Sequence, residues 1–378
     1  MVLYELALLG APTTAQVGEI SAELSRLLAP FSLRLEHEVA FSVAPQVFRP
    51  SQHHSAAAAF MGAAGVSDAG LSVLLDRGIP IIPVTSSLLE IAHELPAALR
   101  TLNAVSYRDA GAVRVATAVL ECAGLLPRQR RVFVSYRRQG SREAALQLFD
   151  AFSARLFDVF LDTHGVPPAD DFQAVLWHRL CDSDVLVMID TAGYFESRWT
   201  QAEFGRALAK NISVLRIGWP GCVRSPRAAT AAEIALDLED VDPAGRLSDG
   251  AIERIVHQLE AQRSESIAVR HLNLVGSLQQ GLQRIGGQVN GVGPHKGIHM
   301  TLPDGRNVVA YTSVTSPTSL LLHEVAEHMT DFIPALIYDH IGLQSDYLTH
   351  LDWLSEHIPD VRLVKACEAA WRFADWEH

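Results

Sequence analysis

The chain has 378 residues, which is enough for two or three domains, and its composition (48% hydrophobic, 20% charged) is that of a globular protein. A net charge of −12 argues against a general nucleic-acid binder, because such proteins need a basic surface. The four cysteines form no CxxC pair and no zinc-ribbon spacing, which is typical of a reducing compartment. The N-terminal run has no basic segment and no stretch of 18 apolar residues exists, so we expect a soluble cytoplasmic protein that does not contact membranes.

Short β-rich runs alternate with amphipathic segments along the first block, residues 1–126, which predicts an α/β domain. Strands are predicted at 2–9, 33–38 and 79–84, and helices at 14–28 and 112–123. The alanine-rich run at 51–65 is interpreted as helix or loop.

The second block, residues 130–262, has the most regular alternation. Strands are predicted at 132–136, 159–162, 184–190 and 212–219, and helices at 141–156 (capped by Ser141), 172–183, 196–210, 228–241 and 248–266. A loop containing Gly, Pro and Asp is predicted at 163–172.

The third block, residues 267–378, predicts another small α/β domain. It contains a helix near 268–285, a glycine-rich turn at 286–297, and a hairpin around an Asp-Gly pair within 298–313. Helices at 317–331 and 345–357 then alternate with strands at 333–338 and 361–367.

The first two blocks share a short similarity. Aligning 77–84 with 210–217 matches the preceding helices and places Gly70 where the second block has Glu203. We therefore consider the first block a candidate degenerate copy of the second.

Four motifs of the second block occur in the order and spacing of one known family. They are FVSYRR (133–138), VFLDTHGVPPADDFQ (159–173), LCDSDVLVMID (180–190) and SRWTQAEFGRAL (197–208). Together they resemble a Toll/interleukin-1 receptor (TIR) domain of the bacterial, NAD-hydrolysing type. The resemblance covers about a third of the chain.

The resemblance implies a flavodoxin-like domain, a parallel sheet with helices on both faces, which we expect to be flanked by two further Rossmann-like α/β domains. It also implies cleavage of the bond between nicotinamide and ribose in NAD, with the essential glutamate in the S-x-W-x-x-x-E segment at Glu203. The pyridinium leaves as a neutral molecule and needs no proton, so one carboxylate that stabilises an oxocarbenium-like ribose is sufficient. Glu196, ahead of the expected helix cap Ser197, is interpreted as a charge that favours the helix dipole.

Five residues are candidate substrate contacts. Trp199 lies four residues before the catalytic glutamate, on the same helix face, where it either stacks on a ligand ring or wedges the helix against the sheet. Tyr136 and Arg137 end the first strand, and the arginine suits a pyrophosphate unless it is merely solvated. Asp162 ends the second strand, where a turn-forming role competes, and Phe133 lies in a strand position that favours the core.

NAD is expected as substrate, with no cofactor and no metal. The run HEVAEH at 323–328 does not fit HExxH, because its second histidine comes at i+5. The resemblance also implies self-association through the BB loop (163–172), a role in anti-phage or stress defence, and either ADP-ribose or a cyclic product. An activating ligand or partner is expected on the flanking domains. The alternatives are a non-catalytic TIR adaptor acting by assembly and a nucleotide sensor that binds without cleaving.

Overall fold

A computed structural model describes residues 2–51, 54–67, 70–161, 172–328 and 334–375. The chain divides into two compact units: unit 1 is Met1–Arg128 with Gly293–Lys296, and unit 2 is Gln129–Val292 with Gly297–His378. No helix in these described ranges is long and apolar enough to cross a membrane.

Unit 1 is a five-stranded parallel sheet with the strand order β2-β1-β3-β4-β5. Its strands are β1 (Tyr4–Gly10), β2 (Val39–Val43), β3 (Ser55–Met61), β4 (Ile81–Thr85) and β5 (Val105–Ser106). Its helices are α1 (Thr14–Leu28), α2 (Leu71–Asp76), α3 (Ile91–Glu94) and α4 (Tyr107–Cys122).

Two predictions for this unit were wrong. Residues 55–61 of the alanine-rich run are neither helix nor loop: they form β3, the middle strand, and every residue of that strand is buried. Helix α4 packs against this strand, where small side chains allow close approach. The strand predicted at 33–38 lies instead at Val39–Val43.

The loop 293–296 belongs to unit 1 and brings two basic side chains into it. The His295 ring lies 2.8 Å from the Ser55 hydroxyl, and Lys296 Nζ donates to the carbonyl of Leu125 at 3.2 Å. Burial lowers the pKa of Lys296 from 10.5 to about 8, because desolvation disfavours its charged form.

The first sheet of unit 2 has the order β10-β9-β8-β6-β7, and all its strands are parallel. Its strands are β6 (Arg131–Tyr136), β7 (Asp158–Leu161), β8 (Val185–Asp190), β9 (Ser213–Gly218) and β10 (Ala232–Ala235). Its helices are α5 (Arg138–Ser153), α6 (Phe172–Cys181), α7 (Arg198–Ala209) and α8 (Asp249–Arg284). Counted along the chain, both sheets have the flavodoxin-like order 2-1-3-4-5, so the predicted fold class is confirmed. A common origin of the two blocks stays a prediction.

Three local predictions in this region were wrong. The helix predicted at 228–241 is the edge strand β10 followed by a short 3-10 turn. Ser141 lies inside α5, whose N-cap is Arg137. The helices predicted on either side of residue 267 are one continuous helix, α8, of 36 residues.

The polar run within α8 does not end the helix because it is buried. Ser264 and Ser266 are 1% and 0% exposed, and the Ser266 hydroxyl accepts a hydrogen bond from the backbone of Ser213 at 3.1 Å. Arg263, fully buried, donates to Asp184 at 2.8 Å. Polar groups paired in this way can sit between layers, so the helix continues from the first sheet to the next.

The second sheet of unit 2 is mixed, with the order β11-β12-β13-β14-β15. Its elements are β11 (Gln288–Val292), β12 (Ile298–Thr301), β13 (Asn307–Ser313), α9 (Ser319–Glu327), β14 (Ala335–Tyr338), α10 (Ser345–His357), β15 (Arg362–Lys365) and α11 (Ala369–Ala374). The Asp-Gly hairpin between β12 and β13 is confirmed. Part of the predicted glycine-rich turn is instead the edge strand β11.

The two sheets of unit 2 are joined at the end of α6. Asp182 accepts a hydrogen bond from the backbone of Ser316 at 2.7 Å, and Arg270 donates to the carbonyls of Ser183 and Val314. The His178 ring lies 5.0 Å from the ring of Tyr347. The C-terminal layer therefore holds the end of the helix that packs against α7.

Candidate active site

Helix α7 presents Glu203 to the sheet. Its buried residues are Thr200, Glu203, Phe204 and Ala207, and Ser197 occupies the N-cap as predicted. Glu203 is only 3% exposed, although a helical glutamate is rarely buried without partners. A carboxylate buried in this way is stable only with hydrogen-bond partners, so its neighbours define its role.

Two hydroxyl groups adjoin this carboxylate. Ser135 Oγ donates to Glu203 Oε2 at 2.5 Å, and the Tyr194 hydroxyl lies 2.6 Å from Ser135 Oγ. Burial, and secondarily the charge of Glu203, raises the pKa of Tyr194 well above its usual value of 10. Tyr194 therefore stays protonated and is the donor to Ser135.

Strand alternation explains which residues of β6 reach this group. Phe133 and Ser135 face α6 and α7, whereas Val132, Val134 and Tyr136 pack on the opposite face with α5 and α8. Phe133 is fully buried and stacks on Phe160 with centroids 5.1 Å apart, so it packs in the core, and its contact with a substrate stays a prediction. Tyr136 is 4% exposed and lies in the opposite core, so its contact with a substrate stays a prediction.

Arg137 contacts the loop that follows β8. It donates to the carbonyl of Ala192 at 2.8 Å and lies 3.7 Å from the Glu196 carboxylate. Gly193, with a φ of +79°, allows the Arg137 and Glu196 side chains to approach each other, because a Cβ at this position would collide with both of them. The role assigned to Glu196 is thus incomplete: it is also the ion-pair partner of Arg137. A phosphate-binding role for Arg137 stays a prediction.

The remaining candidates are Trp199 and Asp162. Trp199 is half-buried, with the Arg198 guanidinium 4.8 Å from its ring, so stacking on a ligand stays a prediction. Asp162 and the BB loop up to residue 171 lie outside the described residues.

A cleft of about 480 Å³ opens at the carboxyl ends of β8 and β9. It is lined by residues 190–196 and by residues 221–223, 225 and 227. At its base, Asp190 accepts from the fully buried Arg216 at 2.6 Å, and Arg216 also pairs with Glu233. Tyr194 lines this cleft and also belongs to the Glu203 group, so it separates the two.

Residues 132–256 match the family model described as the TIR domain. This segment is a TIR domain. The match runs from β6 into the first turns of α8, which confirms the resemblance of the second block. The sequence matches none of the curated proteins with which it was compared. Across the described ranges of the whole chain, no three His, Cys, Asp or Glu side chains are grouped as a metal site would require.

Two members of the Glu203 group, Ser135 and Tyr194, were not predicted from the sequence. A signal for Ser135 was present: it is the one polar residue in the otherwise apolar run Val132–Tyr136, apart from the terminal phenol. Tyr194 follows a glycine in a loop, and nothing in its spacing links it to β6.

Proposed function

We propose that the TIR domain cleaves the bond between nicotinamide and ribose in NAD, with Glu203 as the essential carboxylate. The observation that supports this is the position of the Glu203 carboxylate. It accepts a hydrogen bond from Ser135 near the carboxyl end of β6. In this strand order the chain reverses direction across the sheet between β6 and β8, and α/β proteins bind ligands outside the sheet at such a point.

The chemistry requires little beyond that carboxylate. As the C–N bond breaks, its electron pair neutralises the pyridinium, and nicotinamide leaves without a proton. Positive charge develops on the ribose, and the Glu203 carboxylate stabilises it electrostatically. If water then attacks the ribosyl cation and loses a proton, the product is ADP-ribose. If an adenine nitrogen of the same molecule attacks it, the product is cyclic. NAD is the substrate, and the proposal includes no other cofactor.

Access to Glu203 requires movement, because a side chain that is 3% exposed cannot contact a ribose. TIR domains commonly self-associate. We therefore propose that self-association through the BB loop (163–172) is the step that exposes Glu203. We also propose a role in bacterial anti-phage or stress defence.

The test is nicotinamide release from NAD by the full chain over a range of protein concentrations. Glu203→Gln keeps the size of the side chain but removes its charge, and we expect its rate to fall at least about a hundred-fold. Glu143→Gln is the matched control: its carboxylate is exposed on α5, which packs on the opposite face of the sheet, and we expect its rate to stay within about two-fold of wild type. A Glu203→Gln variant as active as wild type refutes the assignment.

A second candidate function is a non-catalytic TIR scaffold. The burial of Glu203 favours this second function, because a carboxylate that is inaccessible to a substrate is consistent with a structural role. If wild-type protein consumes no NAD at any concentration while it still self-associates in sedimentation experiments, the scaffold is the better description.

A further inference from the structure

Three buried side chains form a hydrogen-bonded chain that ends on the Glu203 carboxylate. Tyr194, Ser135 and Glu203 are 1%, 0% and 3% exposed. The serine hydroxyl has one proton, which it donates to Glu203 Oε2, so its oxygen accepts the proton of the Tyr194 hydroxyl. The direction of each bond in this chain is therefore fixed.

Large apolar side chains pack around this chain. Phe133, on the same face of β6, and Phe204, next to the glutamate on α7, both belong to the core cluster that includes Tyr194. Burying hydroxyl groups in such a place is unfavourable unless they are hydrogen-bonded, and an apolar residue at position 135 would be the simpler way to fill the core. The bond from Ser135 to a carboxylate is also stronger than one between neutral groups.

Tyr194 is itself anchored. It follows Gly193, whose φ of +79° sets the turn, and its carbonyl accepts a hydrogen bond from the Thr200 hydroxyl on α7. Its ring meets the edge of Phe195 with centroids 5.1 Å apart. The phenol is thus held at a fixed place relative to the helix that carries Glu203.

Building on the proposed function, we infer that Ser135 and Tyr194 are positioning residues: they orient the Glu203 carboxylate for the reaction and favour its ionised form. Ser135 acts directly on the carboxylate. Tyr194 acts through Ser135, because a hydroxyl that accepts a hydrogen bond becomes a better donor.

Charged and titratable groups also face this chain from neighbouring elements. Asp190, at the end of β8, pairs with Arg216 of β9, and its charge adds to the burial and the Glu203 charge that raise the pKa of Tyr194. Helix α6 contributes His178, which packs on the Tyr347 ring, and Arg179, which lies beside Asp158. Helix α7 contributes Arg206, which lies over the Trp177 ring. The pH test therefore varies Ser135 and Tyr194 and leaves these groups unchanged.

The kinetic test compares Ser135→Ala and Tyr194→Phe with wild type. Ser135→Ala removes a hydrogen-bond donor to the carboxylate, so the acidic limb of the kcat/KM profile should move to higher pH. In Tyr194→Phe it should move less, in the same direction. We expect kcat to fall about 10- to 100-fold in Ser135→Ala, with a smaller change in KM. Ser183→Ala is the control, since it removes another buried serine hydroxyl, one that bonds the Arg179 carbonyl.

A direct titration keeps this inference separate from the proposed function. The Glu203 carboxyl is followed by ¹³C NMR in the full chain and assigned by its absence in Glu203→Gln. A titration midpoint that moves to higher pH in Ser135→Ala supports the inference whether or not the protein turns over NAD. An unchanged titration overturns it, as do variants that only lose thermal stability and keep the wild-type pH profile. If wild-type protein fails to cleave NAD while the shift is observed, only the proposed function fails.

Discussion

The partly buried Lys296 should make the stability of unit 1 depend on pH. Its amine donates a hydrogen bond to the Leu125 carbonyl. Its pKa is lowered from 10.5 to about 8 in the folded state. Between these values the unfolded chain binds more protons than the folded one, so the free energy of unfolding rises with pH across this window.

The magnitude follows from the two pKa values. The full lowering corresponds to about 3 kcal/mol at neutral pH, and about 2 kcal/mol of it should be regained between pH 7.5 and 9.5. Lys296→Met removes the titrating group and keeps an unbranched side chain. We therefore expect the free energy of unfolding of wild-type unit 1 to rise by about 2 kcal/mol relative to the variant over this range.

The measurement needs a probe within unit 1, because all six tryptophans fall in the residue ranges of unit 2. Urea unfolding followed by hydrogen-exchange mass spectrometry of the peptide containing β3 provides one. Working below pH 10 avoids ionisation of Tyr4 and Tyr107, whose pKa values are raised by burial and whose effect has the opposite sign. Lys365→Met is the control, because it removes a lysine that lies outside unit 1. Parallel pH profiles for wild type and Lys296→Met would refute the reasoning.

Two further predictions concern unit 2, and tryptophan fluorescence during urea unfolding tests both. Gly342→Ala should destabilise unit 2 by at least about 2 kcal/mol, because Gly342 has a φ of +86° and its Cβ would collide with Cys181 Sγ. Adding Cys181→Ala should recover the part due to the collision, and no recovery would leave backbone strain as the sole cause. Arg263→Met should cost about 3–5 kcal/mol, because it leaves the buried Asp184 carboxylate without its ion pair. Adding Asp184→Leu should recover much of that loss, and a single variant as stable as wild type would contradict the argument.

Much of the fold could be predicted from the sequence because alternating apolar runs and amphipathic segments are sufficient to indicate parallel α/β layers. The errors have physical causes. Strand β3 is alanine-rich, and alanine favours helices except where close packing in the middle of a sheet selects small side chains. Strand β10 is a short edge strand with helix-forming residues, so its pairing with β9 decided its structure.

The candidate site was predicted in part. The TIR motif identified Glu203, and helical spacing placed it on one face with Trp199. The spacing did not indicate that Glu203 faces the sheet, because that depends on how α7 packs. Ser135 and Tyr194 come from separate elements, so only the folded chain brings their hydroxyl groups to the carboxylate.

Helix α8 has a consequence for how this protein can change during evolution. One uninterrupted rod contributes to the cores of both layers of unit 2, and residues in its middle fill the space beneath β8 and β9. A polypeptide cut at residue 262 would lose Arg263 and Ser266, so Asp184 and the backbone of Ser213 would lose their partners. A transplanted TIR domain that keeps these contacts must therefore extend at least to Ser266, past the residues that match the family.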